Sequence, residues 1–280
     1  VAERWDVASG AMTPEWWLNA DEVFTATRTL VPGVPEIHVF IPAKTPVNVP
    51  VARTFRETHQ IALDWRGRRA AANVLRLDCC RIDETGAPMT VASAREYLYK
   101  RIRRAKGPVW LRSEWPFEIS PIIPWTEACQ AVIELPKDAG VFLNGEELYL
   151  NVKERVLDRC MMPVNLPRLL LGTNTLAIEG EYNDAWAFES PWVRGEFHVA
   201  TDDNARFVME FDSGPIAVGA WPEHGMPFYF GSVLYVAETE AEAFRPGERV
   251  MLNMSGLVGA ASVRVNGSAA GEIWRRPYRC

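Results

Sequence analysis

No apolar stretch in the 280 residues approaches the roughly 20 that a membrane-spanning helix requires, so a membrane partner is not expected. Cysteine is scarce and odd in number. Cys79, Cys80, Cys129, Cys160 and Cys280 do not make a disulfide framework. Cys79 and Cys80 are adjacent, and neighbours on a strand point to opposite faces, so the two are not expected to serve one site. CxxC and HxxxH spacings are missing, which removes the usual signature of structural zinc. The four histidines, His38, His59, His198 and His224, are scattered, and no Gly-x-Ser-x-Gly segment occurs, so a Ser-His-Asp triad has no support. Excess positive charge is lacking too, with 30 Lys and Arg against 36 Asp and Glu. The longest basic run, Lys100 with Arg101–Arg104, falls on an expected helix, Ser93–Lys106, with Tyr97, Leu98, Ile102 and Ala105 at helical spacing. A solvated helix face accounts for that run, and no nucleic-acid partner is expected.

What the chain has is aromatic residues and turns: 11 Trp, 12 Phe and 7 Tyr beside 20 Pro and 19 Gly. That mixture suits many short strands joined by turns. One phrase occurs twice, Val-Phe-Leu-Asn-Gly-Glu-Glu at 141–147 and Val-Arg-Val-Asn-Gly-Ser-Ala-Ala-Gly at 263–271. Each carries an alternating strand into an Asn-Gly turn, the strongest short-range hairpin signal. The first copy is followed by Gly172–Glu179, a tight turn leading into a closing strand, whereas only 13 residues follow Gly267, as far as Cys280. The expectation is therefore two antiparallel β-sandwiches in tandem, the second cut short, in a chain that is an excised piece of a larger protein.

Residues 61–200 read as the first sandwich module, with strands at Ile61–Trp65, Ala72–Leu77, Val109–Ile119, Gln130–Leu135, Gly140–Leu143, Thr175–Glu181 and Val193–Val199. Residues 201–280 read as the second, with strands at Phe207–Phe211, Pro227–Glu238, Glu248–Met254 and Ala261–Asn266. Residues 1–60 contain strand-like segments at Phe24–Leu30 and Ile37–Ile41 and read as N-terminal strands or the tail of a preceding domain.

Several phrases recur in an order that resembles a known group: Asn73-Val-Leu-Arg-Leu-Asp78, Phe117-Glu-Ile119, Asn144-Gly145, Gly172-Thr-Asn174, Glu189–Phe197, Gly219–Gly231 and Val265–Gly271. Residues 70–280 resemble the galactose-binding-domain-like jelly-roll modules that lie downstream of the catalytic barrel in large bacterial glycoside hydrolases. The closest resemblance is to the family 106 α-L-rhamnosidase group, with the family 2 sugar-binding domain more distant. The resemblance implies an accessory role, with a glycan and the catalytic domain of the same parent chain as partners. In such enzymes the catalytic carboxylates belong to the barrel, so no catalytic residue is assigned to this chain.

Sugar rings present C–H faces that stack on flat aromatic side chains, and their hydroxyls need planar polar partners. Two segments supply both. Between 182 and 192 stand Tyr182, Asp184, Trp186, Glu189 and Trp192, and between 221 and 229 stand Trp221, Glu223, His224 and Tyr229. Core or interface packing is the competing reading for these aromatics, and for His224 a bond to its own loop. Trp274, Arg275, Arg276 and Tyr278 form a weaker third group. Glu179 and Glu181 share one strand face, where repulsion would raise one pKa unless both are solvated. Asp202, Asp203 and Asn204 form an acidic triplet that suits either a bound calcium or a linker turn; no other cofactor is expected.

The function expected from the sequence is thus non-catalytic carbohydrate binding by a mostly β accessory region. Its alternatives are part of a catalytically active α-L-rhamnosidase-like hydrolase, and a structural spacer without ligand.

Overall fold

The computed structural model describes residues 2–5, 12–15, 18–20, 23–25, 36–40, 61–82, 86–120, 128–150, 154–156, 159–202, 206–212, 214–240, 250–274, 278 and 280. The described residues are mostly β, with one α-helix among them, and the chain divides into two compact units: residues 62–239, and residues 1–61 together with 240–280.

The 62–239 unit is a β-sandwich. Its larger sheet is organised around Val109–Ile119, whose burial alternates strictly along all 11 residues. Val109, Leu111, Ser113, Trp115, Phe117 and Ile119 face inward because successive side chains on a strand take opposite faces. This strand pairs antiparallel with Gly172–Tyr182 over its whole length, and that strand pairs in turn with Lys137–Leu143. The smaller sheet runs Met161–Leu166, Cys129–Glu134, Trp192–Gly195, Asn73–Arg76 in spatial order, all antiparallel. Its inward residues, among them Leu75, Ala131, Ile133, Val164 and Val193, meet Leu111, Trp115, Leu176 and Ile178 of the larger sheet in one core. Full burial of each such side chain contributes about 1.5–3 kcal/mol.

The helix runs from Val91 to Ala105 and packs Val91, Ala94, Leu98 and Ile102 on the core. Thr90 caps it by accepting from the Ser93 N–H at 3.3 Å, and Arg103 and Arg104 complement the dipole at its last turn. Ala105, counted among the apolar positions from spacing, is exposed. The basic face is solvated on one side, where Lys100 pairs with Glu96 at 2.6 Å.

Both Asn-Gly phrases form hairpins. Asn144 and Gly145 have φ of 53° and 89°, and Asn266 and Gly267 have 49° and 80°. Positive φ at both central residues is the type I′ geometry whose twist matches that of paired strands. The first turn is stitched to the sheet by a pair of side-chain amides. Asn144 Nδ2 donates to Asn174 Oδ1 at 3.0 Å, and Asn174 Nδ2 donates to the Leu170 carbonyl at 2.7 Å. The Gly172-Thr-Asn174 phrase is therefore the latch of a turn, with Asn174 fully buried.

Several expectations change. Phe207–Phe211, expected to open a second module, pairs with Phe197–Thr201 and with the end of Val109–Ile119 in the first sandwich. The expected strand Val193–Val199 is two strands in two different sheets, because the chain crosses over at Glu196. Residues 61–65 are not strand; Arg66–Arg69 is, paired with Val233–Val236. The long apolar run 227–238 contributes only that four-residue strand, since Pro227–Gly231 folds back on itself. Met161–Leu166 and Cys79–Ile82 are strands that sequence reading omits.

In the other unit, Ala2–Trp5 lies between Met12–Glu15 and Ile37–Phe40 in an antiparallel sheet, and Leu18–Ala20 pairs with Val23–Thr25. Ala261–Val265 pairs with Ser268–Ile273, and the backbones of Leu252 and Cys280 exchange two bonds at 2.9 and 3.1 Å. The second phrase thus has its partner strand immediately after the turn. Of the expected strand 248–254, residues 250–254 are not in a strand, and 248–249 lie outside the described residues, as do residues 26–30. Among the described residues, no helix is long and apolar enough to cross a membrane.

Candidate functional site

The outward face of the smaller sheet carries the site. Register places Asn165, Gln130 and Arg194 side by side across three strands, and Pro163, Val132 and Trp192 in the next row. The polar row is bonded in series. Gln130 Nε2 donates to Asn165 Oδ1 at 2.7 Å, and Arg194 donates to Gln130 Oε1 from Nε at 2.9 Å and from Nη2 at 2.6 Å. A guanidinium held on an amide keeps its plane fixed while its remaining N–H groups stay available.

The 226–231 segment folds over this face. Tyr229 Oη donates to the Ser232 carbonyl at 2.7 Å and accepts from the Ala71 N–H at 3.3 Å. Gly231 permits the fold-back, since a Cβ there would collide with the Tyr229 hydroxyl. Phe230 comes 5.6 Å from the Trp192 ring, and Trp221 packs edge-on to Tyr229 at 5.6 Å. The Trp221 indole N–H donates to the Tyr235 hydroxyl at 3.2 Å, which fixes the buttress. Together Val74, Val132, Trp192, Arg194, Tyr229 and Phe230 line a cleft of about 120 Å³. Val74 and Val132 are its buried floor, and Phe230, 60% exposed, is its rim.

The structure thus brings together Trp192 and Tyr229 from the two expected segments, and separates the rest. Tyr182 is a core residue: its ring is 5.6 Å from Phe188 and burial raises its phenol pKa, so no sugar can stack on it. Trp186 packs half-buried against the same core. Asp184 is exposed in a turn, and Glu189 is exposed beside Arg95 at 3.3 Å. Trp221 supports Tyr229 from behind. Glu223 and His224 belong to the short 3₁₀ turn Trp221–His224, with Glu223 exposed and His224 half-buried against Gly219. Glu179 and Glu181 are each paired with a cation, Arg112 at 3.1 Å and Lys137 at 3.5 Å. The Asp202 carboxylate accepts from Arg206, and Asp203 and Asn204 lie outside the described residues. Trp274 is 43% exposed; Arg275 and Arg276 lie outside the described residues, and the Tyr278 carbonyl accepts from the Met254 N–H. Among the described residues, no group of three or more His, Cys, Asp or Glu could hold a metal ion.

Sequence reasoning missed Arg194, Gln130 and Phe230. Arg194 was findable, because it stands two residues from Trp192 on one strand and so shares its face. Gln130 and Asn165 become its neighbours only through strand pairing across long sequence separations.

None of the five cysteines forms a disulfide. Cys79 is exposed and Cys80 buried, as alternation requires; burial, then the charge of Cys79, pushes the Cys80 thiol up to about 12. No protein-family model, no curated protein and no solved structure matches this chain.

Proposed function

We propose that the 62–239 sandwich is a jelly-roll-like, galactose-binding-domain-like carbohydrate-binding module, the accessory region of a glycoside hydrolase, and that the Trp192–Tyr229–Phe230 cleft holds its glycan. One observation carries the reading: two aromatic side chains far apart in sequence meet over an apolar floor beside a guanidinium fixed on Gln130. An aromatic wall for the ring face beside a planar donor for hydroxyl oxygens is the combination a sugar needs. A shallow cleft suits binding to a chain end or a short stretch of polysaccharide better than enclosure of a whole oligosaccharide.

Titration calorimetry of the 280-residue chain against rhamnose-containing and galactose-containing oligosaccharides tests the proposal. Saturable binding that weakens at least ten-fold in Trp192→Ala is expected, the loss typical of an anchoring tryptophan. Absence of binding across a glycan array defeats it. So does turnover of nitrophenyl glycosides that disappears when a carboxylate of this chain is replaced.

A further inference from the structure

The charge at the aromatic cleft is unbalanced. Among the described residues that line it, Arg194 alone is charged; the others are aliphatic, aromatic or glycine. Three other partly buried arginines show what this chain ordinarily does with a guanidinium. Arg69 pairs with Asp212 and Glu196, Arg95 with Glu189, and Arg112 with Glu114 and Glu179. Arg194 is also half-buried, yet among the described residues no carboxylate pairs with it, in a chain with 36 Asp and Glu. Its Nε and Nη2 both go to the neutral Gln130 Oε1. An amide fixes the plane of the guanidinium but leaves its charge whole.

Neighbouring charges do not supply the missing anion. Arg76, opposite Trp192, is paired with Asp78 at 2.7 Å. Glu134 lies four residues beyond Gln130 on the same strand, where its carboxylate accepts from the Ala187 and Glu189 N–H groups. Glu154 and Arg155, just before Val156, are exposed and opposite in charge.

A positive charge beside apolar walls is screened less than one in bulk water, so it draws an anion. That attraction needs only a guanidinium in the wall of the cleft, whichever of its N–H groups the occupant meets. Trp192 and Arg194 share the outward face of one strand, two residues and about 6.6 Å apart. A sugar ring stacked on Trp192 can therefore turn its exocyclic group toward Arg194. The group that suits one unpaired guanidinium is one carboxylate, which accepts its N–H groups and balances its charge.

We infer that the glycan held at this cleft is acidic: a uronic acid ring lies on the aromatic wall with its carboxylate paired to Arg194. The inference rests on the glycan reading above and narrows it to sugars that carry an ionised carboxyl group.

Titration calorimetry of the full chain, at low and high salt, compares trigalacturonate, its methyl ester and galactotriose. The ester keeps the ring and every hydroxyl and removes only the charge. Trigalacturonate is expected to bind about ten-fold tighter than its ester at low salt, with the margin shrinking at high salt. Arg194→Gln should erase the margin, and Trp192→Ala should weaken the acid at least ten-fold. If Arg194→Gln does not fold, the wild-type comparison of acid with ester decides alone. Equal binding of acid and ester overturns the inference and leaves the glycan reading standing. Acid that fails to bind while a neutral oligosaccharide binds does the same. A margin that survives Arg194→Gln, or acid bound undiminished by Trp192→Ala, overturns it by placing the anion elsewhere. Absence of binding by every sugar, acidic or neutral, overturns both readings together.

Discussion

The two Asn-Gly hairpins share a turn and little else. In the first, Val141 and Leu143 are 0% and 4% exposed, because Lys137–Leu143 lies on Gly172–Tyr182 and faces the core. In the second, Val265 is 58% exposed, and Ala261–Val265 and Ser268–Ile273 form a two-stranded sheet on their own. Turn chemistry is local: two residues with positive φ suffice to reverse the chain. Burial is a property of what lies alongside, which neither phrase contains. An isolated two-stranded hairpin is marginal in water, so the second depends on contacts beyond itself.

That contrast can be broken most sharply in the core. Leu143→Ala removes a 4% exposed side chain of the first hairpin and should lower the unfolding free energy by about 2–5 kcal/mol. Val265→Ala should stay within about 0.5 kcal/mol. Denaturant midpoints measure both, and equal losses would refute the assignment of the two hairpins to different environments.

Next comes the latch. Asn174→Ala strands the Asn144 amide and the Leu170 backbone groups, with an expected loss of about 2–3 kcal/mol. Retention of full stability would show that the latch contributes nothing.

Replacing the turn glycines gives a smaller effect. Gly145→Ala and Gly267→Ala each put a Cβ at positive φ and should cost about 1 kcal/mol locally. For Gly145 the loss should appear in global unfolding. For Gly267 it should appear only as faster hydrogen exchange between 261 and 273.

Ionisation effects should be smallest. The carboxyl of Asp212 is held below its unfolded value, so its contribution is present above about pH 4 and lost as pH falls further. Asp212→Asn should flatten that part of the acid limb, by an amount reduced through solvent screening. At the alkaline end, Cys80 has its pKa raised to about 12, so folding favours its neutral thiol. Its contribution is complete below about pH 8.5 and fades as pH rises toward 12. Iodoacetamide at pH 8 should therefore label exposed Cys79 and Cys160 while sparing Cys80. Rapid modification of Cys80 in the folded chain would contradict its burial.

Much of the fold was legible from pattern. Val109–Ile119 alternates over its whole length, the helix has its apolar positions at three- and four-residue spacing, and both turns announce themselves. The crossover at Glu196 was not legible, because Val193–Val199 keeps its alternation while changing sheets. Nor was the membership of Phe207–Phe211, since pairing partners are chosen across the fold. At the site, Trp192 and Tyr229 stood out as amphipathic aromatics, but so did Tyr182, which is equally aromatic and lies in the core. Composition cannot separate a ring that faces a cleft from one that fills a sandwich.

Local sequence is enough to set the class of structure, the position of the Val91–Ala105 helix and the geometry of the two Asn-Gly turns. These depend on alternation, capping and backbone dihedrals within a few residues. Tertiary packing sets which strands share a sheet, which aromatics stay accessible and where Arg69 is buried against Glu196 and Asp212. Those outcomes depend on register between segments more than 30 residues apart, and no local signal encodes it.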